Sequence, residues 1–387
     1  MQNVTVALDK NSSVPDGNPP KKILHVFSSL ELGGAQRRFI DYVARSTAAH
    51  CHSVYAMDGN YTALETANGV NLPWGKAMVV SKGHTLVAAK TARGLLKDLR
   101  PDLLVTYNWG AIEWALANRF FPVCPMVHIQ DGFTEDELAA EIGKRRLLRG
   151  FTYRGCKAVV VPSETLLAIA KNSWHIPGDR LKFIPNGVDI KRFSAPADDA
   201  VLSALGIDPS KQIIGTVSGL RPEKNIGRLI EAFSLIENDH PDARLVIVGD
   251  GVGMSALRML ADRVCNKGSV IFTGSLANPE TILPAFRLFA LSSDTEQMPL
   301  SVIEAMATGL AVVSTNVGDI AKMVAKENAA YIEGHNAHVL AKNIAALLQN
   351  ESVAQDAGKA NLAKAETNFD MRKMVDTYDA LFTSYSE

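Results

Sequence analysis

Short, continuous apolar runs alternate along this chain with longer segments of helical period. Residues 23–27, ILHVF, have the near-unbroken apolar character of a strand buried on both faces. Gly33 and Gly34 then break the chain, and a helix is expected from about Ala35. A strand, a glycine-rich loop and a helix in that order open a doubly wound α/β unit. The alternation continues with a helix in LVAAKTARGLLKDLR, stopped before Pro101, a strand in DLLVTYN and a helix in GAIEWALANRF. CPMVHIQ and KAVVVPS predict further strands, and ETLLAIAKNSW a further helix.

Proline, Asn-Gly and aspartates cluster over residues 181–200, LKFIPNGVDIKRFSAPADDA, the clearest linker candidate. The alternation then restarts. Strands are expected in QIIGTVSGL, ARLVIVGDG, SVIFTGS, LFALSS and LAVVST. Helices are expected in NIGRLIEAFSLI, MSALRMLADRV, NPETILPAF, LSVIEAMAT and from AHVLAKNIAALLQN to about Glu366. Strands flanked by helices on repeat imply mostly parallel sheets covered on both faces. The chain therefore reads as two doubly wound halves joined near residue 190. The default site is the cleft between them, at the carboxyl ends of the strands.

Composition adds bounds. The chain has 387 residues, 47% hydrophobic and 21% charged, which suits two soluble globular domains. A net charge of −1 gives no global field favouring nucleic acid or anionic lipid, so any anion site must be built locally. Cys51, Cys124, Cys156 and Cys265 lie far apart, as free thiols in a reducing compartment do. Residues 1–20 are polar and proline-containing, lack the apolar region of a signal peptide, and read as a disordered lead-in. No uncharged apolar run reaches the length of a membrane span, so a cytoplasmic protein is expected, peripheral to a membrane at most.

The stretch SSDTEQMPLSVIEAMATG places Glu296 in a loop before a helix and Glu304 inside it, with seven residues between them. Pro299 suits the helix start and Gly309 its C-cap. The first free amides, near Leu300 and Ser301, point toward the cleft and make an anion site with the helix dipole. Carboxylates beside a phosphate would be repelled by it. They make sense as acceptors for sugar and ribose hydroxyls. A helix-start acid and a surface acid would give the same spacing. In SGLRPEKN, Arg221 and Lys224 suit a diphosphate at the cleft edge, or form a solvated basic turn. VGDG and FTGS, the latter holding Gly274, are strand-end turns that let a nucleotide approach the backbone.

Taken together, FIPNGVDIKRF, GLRPEKN, LVIVGDG, FTG and SSDTEQMPLSVIEAMATGLAVVSTNVGD resemble glycosyltransferase family 4 in order and spacing. The resemblance covers most of residues 21–387 and reaches the first half through LGGAQRR. It implies the GT-B fold, two Rossmann-like domains facing a central cleft. An acceptor domain would span 21–190, a donor domain 191–369, and a helix over 370–387 would cross back onto the first. It also implies roles. Glu296 would bind donor-sugar hydroxyls and support the reacting centre, and Glu304 would hold the ribose. Leu300 and Ser301 would offer amides to the diphosphate, and Lys224 would neutralise the leaving phosphate. Gly33 and Gly34 would form the first-domain loop beside it. Met298, Pro299 and Gly274 complete the donor-binding set.

The chain departs from the family pattern in three places. Gly219 stands where an arginine is frequent, with Arg221 as a stand-in. Gln297, Met298 and Pro299 replace the glycines that often follow the first glutamate, which would reshape the sugar pocket. The acceptor-side histidine has no clear counterpart: alignment by the following glycine selects Asp131, and alignment by residue type selects His128. Asn108 and Trp109 follow a strand near the cleft, where the tryptophan would stack on an acceptor sugar or anchor a helix. GKRRLLRGFTYRGCK mixes basic and apolar residues, suiting an anionic membrane face or a solvated helix. The expected reaction is retaining transfer from a UDP- or GDP-linked sugar to a glycan, lipid-linked or small-molecule acceptor. It needs no cofactor and, without an Asp-x-Asp strand end, no metal. The competing readings are a nucleotide-sugar epimerase and a binding protein that has lost catalysis.

Overall fold

The computed structural model describes residues 19–31, 33–65, 85–133, 137 and 141–386. Most of the expected lead-in, residues 1–18, lies outside them. Two parallel sheets form the frame. The first comprises β1 (Lys21–Phe27), β2 (His50–Ala56), β3 (Leu103–Tyr107), β4 (Met126–Ile129), β5 (Ala158–Val161) and β6 (Leu181–Phe183), in spatial order β2-β1-β3-β4-β5-β6. The second comprises β7 (Gln212–Val217), β8 (Ala243–Val248), β9 (Val270–Gly274), β10 (Leu288–Leu291) and β11 (Ala311–Ser314), in order β11-β10-β7-β8-β9.

Helices of a full two turns or more cover the sheets. In the first half they are α1 (Gly34–Arg45), α2 (Thr85–Leu99), α3 (Ile112–Phe120), α4 (Gly143–Tyr153) and α5 (Glu164–Asn172). In the second they are α6 (Ile226–Ser234), α7 (Met254–Val264), α8 (Leu300–Ala307), α9 (Ala337–Gln349), α10 (Glu351–Asn368) and α11 (Met371–Ser386). The strands β3, β4, β5, β10 and β11 are buried at every position, which is why they read as continuous apolar runs.

Sequence order reverses between β1 and β3 in the first sheet and between β7 and β10 in the second. At such a reversal the loops leaving neighbouring strands diverge and open a crevice. The helix expected in NPETILPAF is instead two 3₁₀ turns, Pro279–Thr281 and Leu283–Ala285, because Pro284 removes a donor in its middle. The linker candidate begins with β6, a three-residue edge strand with no fully buried position.

The last helix returns to the first sheet. Met371, Met374, Val375, Tyr378 and Phe382 of α11 pack with Ile23, Phe27, Phe39 and Val105 in one core. Asp379, nearly buried, accepts hydrogen bonds from Tyr42 Oη (2.8 Å), Ser46 Oγ (2.6 Å) and the Thr47 amide (3.1 Å), fixing α11 at the end of α1. Among the described residues no helix is long and apolar enough to cross a membrane.

Candidate active site in the cleft

The loops after β7 and β10 lie side by side and are bound to each other. Ser292 Oγ donates to the Asn225 carbonyl (2.9 Å), and the Asp294 amide donates to the Glu223 carbonyl (2.9 Å). Arg228 reaches the Ser292 carbonyl (2.8 Å) and the Asp294 carboxylate (2.6 Å). On this frame Lys224 Nζ meets Glu296 Oε1 at 2.6 Å, with side chains only 17% and 10% exposed. Ser293 Oγ donates to the same oxygen at 2.8 Å. Glu296 is thus oriented by a cation and a hydroxyl, both of which a bound substrate can replace or share.

Next to this pair α8 begins. Pro299 is extended at its N-cap, and the Val302 and Ile303 amides return to the Pro299 carbonyl. The two first-turn amides left without a partner among the described residues are those of Leu300 and Ser301. The helix ends where Gly309 takes φ +79°, with Leu310 N–H bonded to Ala305 O and Gly309 N–H to Met306 O, a Schellman cap. Its length is therefore set at both ends, and the free amides are held at the cleft. Across the cleft, a Cβ on Gly34 would stand 3.8 Å from Leu300 Cδ1, so the first-half loop faces this helix start in contact distance.

Glu304 sits just over one turn into α8, in a small cavity with Leu300, Arg37, Asp41, Asp189 and Arg192. Its carboxyl has no hydrogen-bond partner among the described residues. Burial pushes its pKa up to about 7, although Arg37 and Arg192 pull it down; Glu280 and Asp41 add to the rise. An acceptor poised near neutrality, without a partner, suits a ligand hydroxyl. Gly274, at φ +74° at the end of β9, turns the chain at the same sheet edge and its carbonyl accepts a hydrogen bond from the Gly249 amide at 2.9 Å.

Several expected residues have other surroundings. Arg221 is 62% exposed and paired with Glu223 at 3.0 Å. Its Nε folds to within 3.6 Å of where a Cβ on Gly219 would stand, so it does cover that position. Met298 does not enter a sugar pocket. It is buried in the second core, its sulfur and carbonyl bonded to the amide and side chain of Asn186 at 3.2 and 2.8 Å. His128 lies inside β4, fully buried, bonded to Thr106 and Gln130 and stacked on Tyr153 with centroids 3.7 Å apart. Burial depresses it to about 3, so it is a neutral core residue and not an acceptor-side group.

Asp131 reaches the cleft edge, but both its oxygens are held by Arg38, which also donates to Asn186 Oδ1 at 2.8 Å. Burial works against the charge of Arg38, and Asp131 outweighs it and raises the guanidinium pKa. Asp131 is therefore a structural counter-ion here, and Asn108 steadies its loop by accepting from its amide at 2.7 Å. Asn108 holds φ +52° to do so. The Trp109 ring lies beneath Arg145 and Arg149, 5.2 and 5.0 Å from its centroid, a placement that fits the helix-anchoring alternative. Arg149 is fully buried and bonded to Glu137 and Glu141 at 2.6–2.8 Å. The sequence reading missed Arg38, the contact of Gln297 with Ser163, and Asp319. Arg38 was visible within LGGAQRR; the other two carry no local signal.

Two parallel Rossmann-like sheets facing a cleft define a GT-B fold. A solved structure of Anabaena HepE in complex with UDP-glucose superposes with a TM-score of 0.76 at 20% identity, covering 94% of this chain and 99% of that one. The family model "Glycosyl transferases group 1" matches residues 199–364, and "Glycosyltransferase Family 4" matches residues 32–192. The chain belongs to the family-4 type of glycosyltransferases.

Curated relatives include the lipopolysaccharide core biosynthesis mannosyltransferase LpsB of Rhizobium meliloti, 27% identical over 52% of this chain. Another is the Escherichia coli UDP-Gal:alpha-D-GlcNAc-diphosphoundecaprenol alpha-1,3-galactosyltransferase, 31% identical over 58% of this chain. The chain spans 60% of the length of each.

Proposed function

We propose that this protein transfers a sugar from a nucleoside diphosphate sugar to an acceptor hydroxyl in the synthesis of a cell-envelope or exopolysaccharide glycan. The observation that carries the reading is the convergence of the Lys224–Glu296 pair, the free amides of Leu300 and Ser301, and the unpartnered Glu304 around one helix start. The diphosphate lies against the amides and Lys224, which stabilise the charge that develops as it departs. Glu296 accepts hydroxyls of the sugar, and Glu304 those of the ribose. Positive charge from side chains and amides takes the place of a metal. Glu296 and Asp131 are both engaged in ion pairs, which favours front-face attack with retention over a covalent glycosyl-enzyme.

The acceptor side carries a surface suited to an anionic bilayer. The Phe120 (61% exposed) and Phe151 rings lie 5.3 Å apart where α3 meets α4, and Leu147 of α4 is 72% exposed. Lys144 and Arg146 of the same helix, and Arg154 just after it, are also exposed. Apolar side chains that insert, rimmed by cations that meet lipid phosphate, recognise a negatively charged membrane. Peripheral contact with the cytoplasmic membrane face, bearing a lipid-linked acceptor, follows from this reading. The LpsB and galactosyltransferase relatives, by their names, act in envelope glycan synthesis.

A thermal-shift screen of UDP- and GDP-sugars, followed by NMR of the product anomer, tests the function. A donor that raises the melting temperature and yields a retained glycoside supports it. An epimerised free sugar nucleotide, or binding without any turnover, would overturn it.

A further inference from the structure

A contact outside the proposed nucleotide site joins the two halves of the protein, beside linker residues 183–187. The first-half helix α5 begins at Glu164, and the amides of Glu164, Thr165 and Leu166, which precede its first i→i−4 bond from Leu167 N–H to the Ser163 carbonyl, need other acceptors. Ser163 takes one of them, its Oγ accepting from Leu166 N–H at 3.0 Å. The other two are satisfied from the second half. Asp319 accepts from Glu164 N–H at 2.5 Å and from Thr165 N–H at 3.2 Å, and also from Thr165 Oγ1 at 2.6 Å. A carboxylate only 2% exposed thus completes the cap of a helix in the other domain, with the favourable end of that helix's dipole facing it.

The same residue supports the catalytic loop from below. Asp319 N–H donates to the Gln297 carbonyl at 3.0 Å. Gly318, at φ +56°, passes so close under the Glu296 and Gln297 carbonyls that a Cβ there would collide with both. The Gln297 side chain makes a second crossing, its Oε1 accepting from Ser163 Oγ at 3.1 Å. Glu296 is therefore placed by a segment whose side chains are bonded to the first half of the molecule. Its neighbour Gln297 is one of the residues that replace the family's glycines.

We propose that Asp319 is a positioning residue that ties the placement of Glu296 to closure of the two domains. When the domains close, the α5 amides take the Asp319 carboxylate, and the Gly318 and Asp319 backbone sets the Glu296 loop. When they part, two α5 amides and the carboxylate go to water and the loop loses its support. The inference deepens the donor-site reading by assigning control of that site to domain closure.

The test compares Asp319→Ala with Thr165→Val, which removes one donor to Asp319 from the first domain without touching the donor domain. Amide hydrogen exchange is read by mass spectrometry with and without 1 mM UDP, so the outcome does not depend on knowing the donor sugar. In Asp319→Ala, exchange is expected to rise at least tenfold both in peptides spanning 164–167 and in peptides spanning 294–299. In Thr165→Val the second segment is expected to respond in the same direction. With whichever nucleotide sugar proves a substrate, kcat is expected to fall about tenfold or more in Asp319→Ala, with donor KM within about twofold. The double variant is expected to be no worse than Asp319→Ala alone. Faster exchange confined to 164–167, or additive losses in the double variant, would overturn the coupling. If no sugar nucleotide is turned over by the wild type, the reaction proposed above fails, and the exchange data still decide the coupling.

Discussion

The partnerless carboxyl of Glu304 makes donor binding depend on pH in a way that can be worked out. Burial raises its pKa to about 7 in the free protein, and the ionised form is the stronger acceptor for a ribose hydroxyl. With a pKa near 7, about one-tenth of the molecules carry the carboxylate at pH 6 and about nine-tenths at pH 8. If only that form binds, the apparent affinity is reduced by the competent fraction, so UDP should bind about tenfold more weakly at pH 6 than at pH 8. The nucleotide's terminal phosphate also titrates near pH 6, so the reference is Glu304→Gln, which keeps the shape and cannot ionise. Calorimetric titration of both proteins from pH 5.5 to 8.5 should show, between pH 6 and 8, a gain in affinity about tenfold larger for wild type than for Glu304→Gln. Parallel profiles would refute the role given to Glu304.

The same shift has a signature in stability. The folded state holds the Glu304 proton up to about pH 7, and the unfolded chain releases it near 4.5. Between those values the native state binds more protons, so its contribution to stability falls as pH rises and is lost above about 7. A shift of that size corresponds to about 3 kcal/mol, which Glu304→Gln should recover at pH 8. Buried His52 and His128, depressed to about 4 and about 3, act with the opposite sign below about pH 6.5. Only the difference between the two proteins isolates Glu304.

Three further outcomes follow. Lys224→Ala should lower kcat by about 10²–10³, the scale of losing one charge-stabilising group, with circular dichroism unchanged; steady-state kinetics reads this. Asp131→Ala leaves the Arg38 charge buried without its partner and should cost about 3 kcal/mol in denaturant unfolding, because desolvation of the survivor is uncompensated. Gly318→Ala should cost about 1–2 kcal/mol from its left-handed φ alone, and more from the collision beneath Glu296, measured by the same unfolding assay.

Much of this architecture is legible in the sequence because buried parallel strands announce themselves as apolar runs. The helix α8 was readable to its ends, since Pro299 and Gly309 mark them chemically. The strand β2, HCHSVYA, was not, because its polar residues interrupt the apolar run. The strand β6 hid in a proline-rich segment, being short and without a fully buried position. In the site, Glu296, Glu304 and Lys224 stood out by spacing within one half. Asp319 did not, because its partners Glu164 and Thr165 lie more than 150 residues away. Met298 was misread, and Trp109 left between two readings, for a related reason: an apolar or aromatic residue beside a motif faces the ligand or the core according to packing that no local pattern encodes.

The most direct measurement is the position of a bound nucleotide. A crystal structure of the protein with UDP should place the diphosphate within hydrogen-bonding distance of the Leu300 and Ser301 amides, near Lys224, with the ribose hydroxyls on Glu304. A diphosphate found elsewhere, such as the cavity of about 450 Å³ lined by Asn186, Met298, Lys322 and Lys364, would contradict it.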